Sequence, residues 1–136
     1  MRLPIGLYRA GLGFVFSKRL VMVEHRGRTS GERRFVVLEV IARLDSVVRV
    51  ASALGRNAQW YRNLAANEVA YLSTGTLRRV PATPRLLTEA ESELCLKDYA
   101  ARYPTAWRHL SAAVSYATDG EPQILIVEFT LRPRAA

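Results

Sequence analysis

The chain has 136 residues and a net charge of +8, from 20 Lys and Arg against 12 Asp and Glu. That length suits one domain with one core, and an apolar share of 49% without low-complexity tracts excludes a disordered chain. The charge surplus points to an anionic partner, for which nucleic acid, an acidic membrane surface and a polyanionic cofactor all qualify, while the lone Cys95 excludes an internal disulfide and a Cys-rich zinc site and fits a reducing compartment.

Residues 1–19 form an apolar N-terminal segment with basic punctuation, set off from a single domain over 20–136. Ser17, Lys18 and Arg19 interrupt it well short of the roughly 20 apolar residues that span a bilayer. No small-residue cleavage site follows, so a secretory signal is not expected, and the chain is placed in the cytoplasm. Two readings stay open: an amphipathic helix touching a membrane surface, or a terminal segment packed on its own domain.

Leu20–Val23 and Phe35–Ile41 read as strands around a tight basic turn, Gly27–Arg34 (GRTSGERR). Gly27 and Gly31 permit positive φ and close backbone approach. Thr29 and Ser30 offer hydroxyls, and Arg28, Arg33 and Arg34 offer charged donors. Main-chain N–H groups in such a turn can form an anion nest, although a solvated hairpin uses the same residues. The turn is not a Walker A loop, because the Lys-Ser/Thr ending is missing.

After a turn at Leu44–Ser46, Val47–Ala53 makes a hairpin with the preceding strand. Asn57 is placed to cap a short helix over Ala58–Ala66, with Trp60 and Leu64 on one face and Asn67 as an αL terminator. Val69–Ser73 and Thr76–Leu86 read as strands joined at Thr74-Gly75, and Pro81 and Pro84 put the second at an edge or a bulge. Thr88-x-x-Glu91 is a capping box opening a helix to about Tyr103. Pro104 separates it from a second helix, Thr105–Tyr116, and Gln123–Leu131 is a closing strand. The pattern is mainly β (α+β): a small antiparallel barrel or sandwich with two or three helices outside.

No metal constellation is visible, and His25 and His109, the only histidines, read as exposed side chains. Any organic chemistry therefore comes from a bound cofactor. Trp60 is a core anchor that can also, with Tyr61, flank a planar ring. Ser52, at a strand end, can bond a ligand or cap a turn. A nucleic-acid partner is not expected, because neither an aromatic RNA-binding pattern nor a helix-turn-helix accompanies the charge.

GRTSGERR, then VASALGRNAQWYRNLAANEV, ARYPTAW and QILIVEF, in that order over about Leu20–Pro133, resemble the deazaflavin-dependent nitroreductase family of the flavin-binding split β-barrel class. The resemblance implies an antiparallel split barrel that binds coenzyme F420, an 8-hydroxy-5-deazaflavin with a phosphate and an anionic tail. It implies hydride transfer from the reduced coenzyme to a small-molecule acceptor: a quinone, a nitroaromatic or another electron-poor compound. Binding of the coenzyme, or of FMN, without turnover is the alternative, and a homodimer is the assembly seen in related barrels. Gly27, Arg28, Thr29, Ser30 and Gly31 match the family's phosphate-and-tail loop. Ser52, Ala53, Leu54 and Gly55 match the loop along the deazaflavin, Trp60 and Tyr61 the aromatic pair, and Tyr103 the Tyr-Pro segment near the acceptor.

The chain also departs from the family pattern. Thr29 stands where many members have Lys, a charge that Arg26, Arg33 or Arg56 can replace. Ala106 and His109 fall where nitro-active members carry tyrosines, and Glu39 where some have an aromatic. Tyr103 and, second, His109 are the candidate proton donors to the reduced acceptor.

Overall fold

The computed structural model describes residues 20–118 and 124–132. The N-terminal segment 1–19, with its expected helical or membrane-touching character, lies outside them, as does Gln123.

Six strands form a closed antiparallel barrel in the order β1-β2-β3-β6-β5-β4. They are β1 Leu20–Arg26, β2 Arg33–Leu44, β3 Val47–Ser52, β4 Ala70–Thr74, β5 Leu77–Leu86 and β6 Leu125–Leu131. Alternation sets the faces: Val21 and Val23, Val48 and Val50, and Val127 and Phe129 point into one buried core. Burial of such side chains stabilises by roughly 1.5–3 kcal/mol each. Helix α1, Gln59–Ala66, adds Trp60, Tyr61 and Leu64 to that core. It is thus packed into the barrel's own core, not laid outside it.

Helices α2 (Glu89–Arg102) and α3 (Pro104–Thr118) cover an outer face. Ile41, Ala51 and Ile126 point outward there and meet Leu87, Tyr99, Leu96 and Trp107 in a second apolar cluster. The expected capping box is present: the Thr88 hydroxyl accepts from the Glu91 N–H and the Glu91 carboxylate accepts from the Thr88 N–H. Ser92 Oγ accepts from Ile126 N–H of β6 at 2.9 Å, and Tyr99 donates its hydroxyl proton to Glu39 of β2 at 2.9 Å. Seven helical residues advance about 10 Å, close to two interstrand spacings of about 4.8 Å. Helix α2 therefore runs across β6, β3 and β2.

Three local expectations are corrected. Asn57 does not cap α1, because Gly55–Asn57 form a 3₁₀ turn first and Ala58 takes the cap position without a side-chain bond. Asn67 is extended (φ −131°), not left-handed. Neither proline marks a sheet edge, since the barrel is closed. The alternative of a bulge fits: the β4–β5 register slips between the Leu72–Val80 and Thr74–Leu77 pairs, beside Pro81, with Arg79 at φ +49°. Pro84 lies past the last β4–β5 pair, Ala70 with Ala82, so it faces a ladder on the β6 side alone.

Candidate functional site: the loop end of the barrel

Strand reversal puts the β1–β2 turn and the β3–α1 connection at the same end, because β1 and β3 both run toward it. In the turn, Gly27 N–H donates to Glu32 C=O at 2.9 Å and Gly31 N–H donates to Gly27 C=O at 2.8 Å. Gly31 has φ +74°, a conformation that favours glycine. A Cβ on Gly27 would stand 2.6 Å from Ser30 Oγ and would make that hydroxyl turn away from Glu32 N–H. The Ser30 hydroxyl accepts from Glu32 N–H. The main-chain N–H groups of Thr29 and Ser30 have no acceptor among the described residues. They form the open part of the turn, where an anion can be held.

Arg28 is tied down. Its main-chain N–H and its Nη1 both donate to Asn63 Oδ1, at 3.0 and 2.8 Å, and its Nη2 donates to Gln59 Oε1 at 2.8 Å. Behind it, Asn63 Nδ2 lies 3.1 Å from Nδ1 of His25. His25 is only 4% exposed, which corrects its reading as a surface side chain. Burial, and after it the charge of Arg34, pushes the imidazole down to about 4. Arg33 opens β2 opposite Arg26 and is exposed. Both charges favour an ionised Glu24, whose carboxyl is held below its usual range first by the hydrogen bonds from Arg79.

On the second loop, Ser52 is fully buried and donates its hydroxyl proton to Gly55 C=O at 2.8 Å, so it shapes the connection. Ala53 is half-buried, Leu54 exposed and Gly55 buried. Arg56 pairs with Glu89 at 3.2 Å and fastens this loop to the start of α2; both side chains are exposed, so the pair adds little stability. Trp60 and Tyr61 lie edge-to-face, 6.1 Å between ring centroids, and both are buried in the barrel core. They support the loops from beneath.

The structure thus gathers both loops and α1 at one end. It sets Tyr103 and His109 apart, in the outer helical layer. Tyr103 ends α2, about 20 Å along that helix from Glu89. Its ring packs 5.6 Å from that of Tyr99, whose hydroxyl reaches Glu39. His109 is exposed on α3. An open cleft of about 480 Å³ lies between these helices, with Leu96, Ala100 and Trp107 among its lining and Glu89 and Lys97 beside them; the expected site residues do not line it. Sequence reasoning missed Asn63, Gln59 and Tyr99. The signal for His25 was present, since it continues the inward alternation of Val21 and Val23. Among the described residues, no group of three His, Cys, Asp or Glu side chains could hold a metal ion, and no helix is long and apolar enough to cross a membrane.

A closed six-strand antiparallel barrel with helices on an outer face is a split-barrel fold of the α+β class. A family model described as F420H(2)-dependent quinone reductase matches residues 8–127, and the chain belongs to that family. A protein of Mycobacterium tuberculosis named "Putative F420H(2)-dependent quinone reductase Rv3178" is 41% identical over 73 residues, 52% of this chain and 61% of that protein. The chain thus aligns with about three fifths of that relative's length. Among solved structures, an F420-H2 dependent reductase (FDR-A) is 24% identical with a TM-score of 0.54, covering 81% of this chain and 94% of the other. The haem storage protein HutZ of Vibrio cholerae is 14% identical with a TM-score of 0.56, covering 100% and 93%. These two likenesses establish the fold alone.

Proposed function

We propose that this chain is an oxidoreductase that binds the reduced deazaflavin coenzyme and passes a hydride to a quinone or a similar electron-poor acceptor. Family membership supports the chemistry. The observation that carries the binding site is the pair of unpartnered Thr29 and Ser30 amides beside an anchored Arg28, which fits the coenzyme's phosphate. Two of the guanidinium's five donors are spent on Asn63 and Gln59, and the rest remain for an anion. When bound, the deazaflavin supplies the hydride. The residues supply placement: Gly27–Gly31 hold the anionic part, and Ser52–Gly55 are shaped by the Ser52 hydroxyl to lie along the ring.

The reduced acceptor needs a proton; Tyr103 is the first candidate to provide it and His109 the second. Either serves only where the coenzyme ring and the acceptor reach from the loop end to the outer helical layer that carries them, water serving otherwise. A domain-swapped dimer is among the similar solved structures, and a homodimer of this chain is part of the proposal. Titration by deazaflavin fluorescence, in parallel with FMN, tests the cofactor; equal or tighter FMN binding would sink it. Oxidation of the reduced coenzyme on adding a quinone, set against nitroaromatics and enones, tests turnover. Tight binding with no oxidation by any acceptor would make the chain a coenzyme carrier instead.

A further inference from the structure

We propose that Asn63 is the positioning residue of the anion turn: it holds Arg28 by main chain and guanidinium together, and its Nδ2 rests on the ring of buried His25. The inference rests on reading Gly27–Gly31 as the coenzyme's anion site.

Asn63 is 5% exposed on α1, amid side chains that α1 uses for packing. Its own role is polar. Oδ1 accepts two N–H donors of Arg28, one from the turn's backbone and one from the guanidinium. Both groups can only donate, so the amide has one permitted orientation, with Nδ2 toward His25. Nδ2 also only donates. His25 Nδ1 must then accept, which puts the imidazole proton on Nε2. The low pKa of this buried ring agrees with an unprotonated acceptor at neutral pH.

The turn gains its shape from this chain of contacts. With the Arg28 N–H directed inward to Asn63, the two following amides, of Thr29 and Ser30, are left as the turn's open donors. With Nη1 and Nη2 held by Asn63 and Gln59, the guanidinium plane is fixed before any ligand arrives. A preorganised donor set loses less freedom on binding than a mobile arginine does. The segment WYRN therefore serves both ends of its helix turn: Trp60 and Tyr61 anchor it in the core, and Asn63 aims the anion site.

A double-mutant cycle on the full chain tests this, read as the dissociation constant for the deazaflavin coenzyme by fluorescence. Asn63→Leu and Arg28→Ala are each expected to weaken binding about tenfold. If Asn63 acts through Arg28, the double variant loses clearly less than the product of the two single losses. Any excess over the worse single variant is the share carried by the main-chain N–H, which Arg28→Ala keeps. kcat at saturating coenzyme should stay within about twofold in Asn63→Leu, because the loss lies in binding. Unchanged affinity in Asn63→Leu, or losses that multiply in the double variant, would overturn the inference. The wild-type protein gives an independent reading that needs no variant to fold: imidazole ¹⁵N shifts should show His25 protonated at Nε2, and an Nδ1-protonated ring would overturn the network. A wild type that does not bind the coenzyme refutes the functional reading itself, a different result from a wild type that binds and an Asn63 variant that binds equally well.

Discussion

At the loop end of the barrel, Arg28, Asn63, Gln59 and His25 share four hydrogen bonds of 2.8–3.1 Å. The outer helical layer rests mostly on Ile41, Ile126, Leu87, Leu96 and Trp107, with the Ser92 and Tyr99 bonds at its two ends. Hydrogen bonds fix distance and direction, whereas apolar contacts are non-directional and accept side chains of similar volume. One region therefore permits a single arrangement and the other several. For the proposed chemistry the fixed loop end suits an invariant coenzyme, and the acceptor must lie against the ring held there.

The largest effect should come from Trp60, 8% exposed in the shared core beneath the loops. Trp60→Ala should cost about 3–5 kcal/mol in denaturant unfolding and weaken coenzyme binding with it. Loss of stability with intact coenzyme affinity in the surviving folded fraction would separate α1 from the loops it underlies.

Next is acid. His25 has a folded pKa of about 4 against an ordinary 6.5. Below 6.5 the unfolded chain takes up a proton that the folded chain refuses, so stability is full above pH 6.5. It declines as pH falls toward 4, by up to about 3 kcal/mol for this group. The groups facing the ring are Asn63 and the cation of Arg34, and neither offers a carboxylate to an imidazolium. A flat stability profile from pH 7 to 4 would show that the folded loop end does not resist protonation of His25.

Helix-layer changes should spare the coenzyme. Tyr103→Phe removes one hydroxyl and keeps the packing on Tyr99. If Tyr103 supplies the proton, turnover falls about tenfold or more while coenzyme affinity is unchanged. Full turnover with chemistry rate-limiting would pass the role to His109 or to water. Smallest is Thr88→Ala, which deletes half of the α2 capping box. It should cost about 1 kcal/mol by thermal unfolding and leave the loop end untouched. A shift in coenzyme affinity would show that the Arg56–Glu89 contact couples the two regions.

The sequence was legible where one rule decided. Alternating valines gave the strands, Thr88 with Glu91 gave the start of α2, and Pro104 divided α2 from α3. It was least legible where two rules competed. Asn57 is a good cap, but the chain makes a 3₁₀ turn through it before α1 begins. Pro81 and Pro84 signal an edge in an open sheet, yet a barrel whose ladders are short on one side houses them. Of the site, the turn and its glycines were visible. Arg28 was read as a ligand-binding charge, while its bonds to Asn63 and Gln59 join residues 35 and 31 positions apart, which no local pattern carries.

Ring closure depends on its shortest seam. β1 is partnered with β2 at seven positions but with β4 at only three, Met22 to Glu24. Opening the cylinder there breaks the fewest rungs, and what swings away is the β1–β2 hairpin that carries the anion turn. Arg28, clasped to α1, latches that hairpin from its far end. A ligand that grips the turn then also acts as a fastener for the whole cylinder, slowing amide exchange along Met22–Glu24 and Tyr71–Ser73, strands that it need not touch.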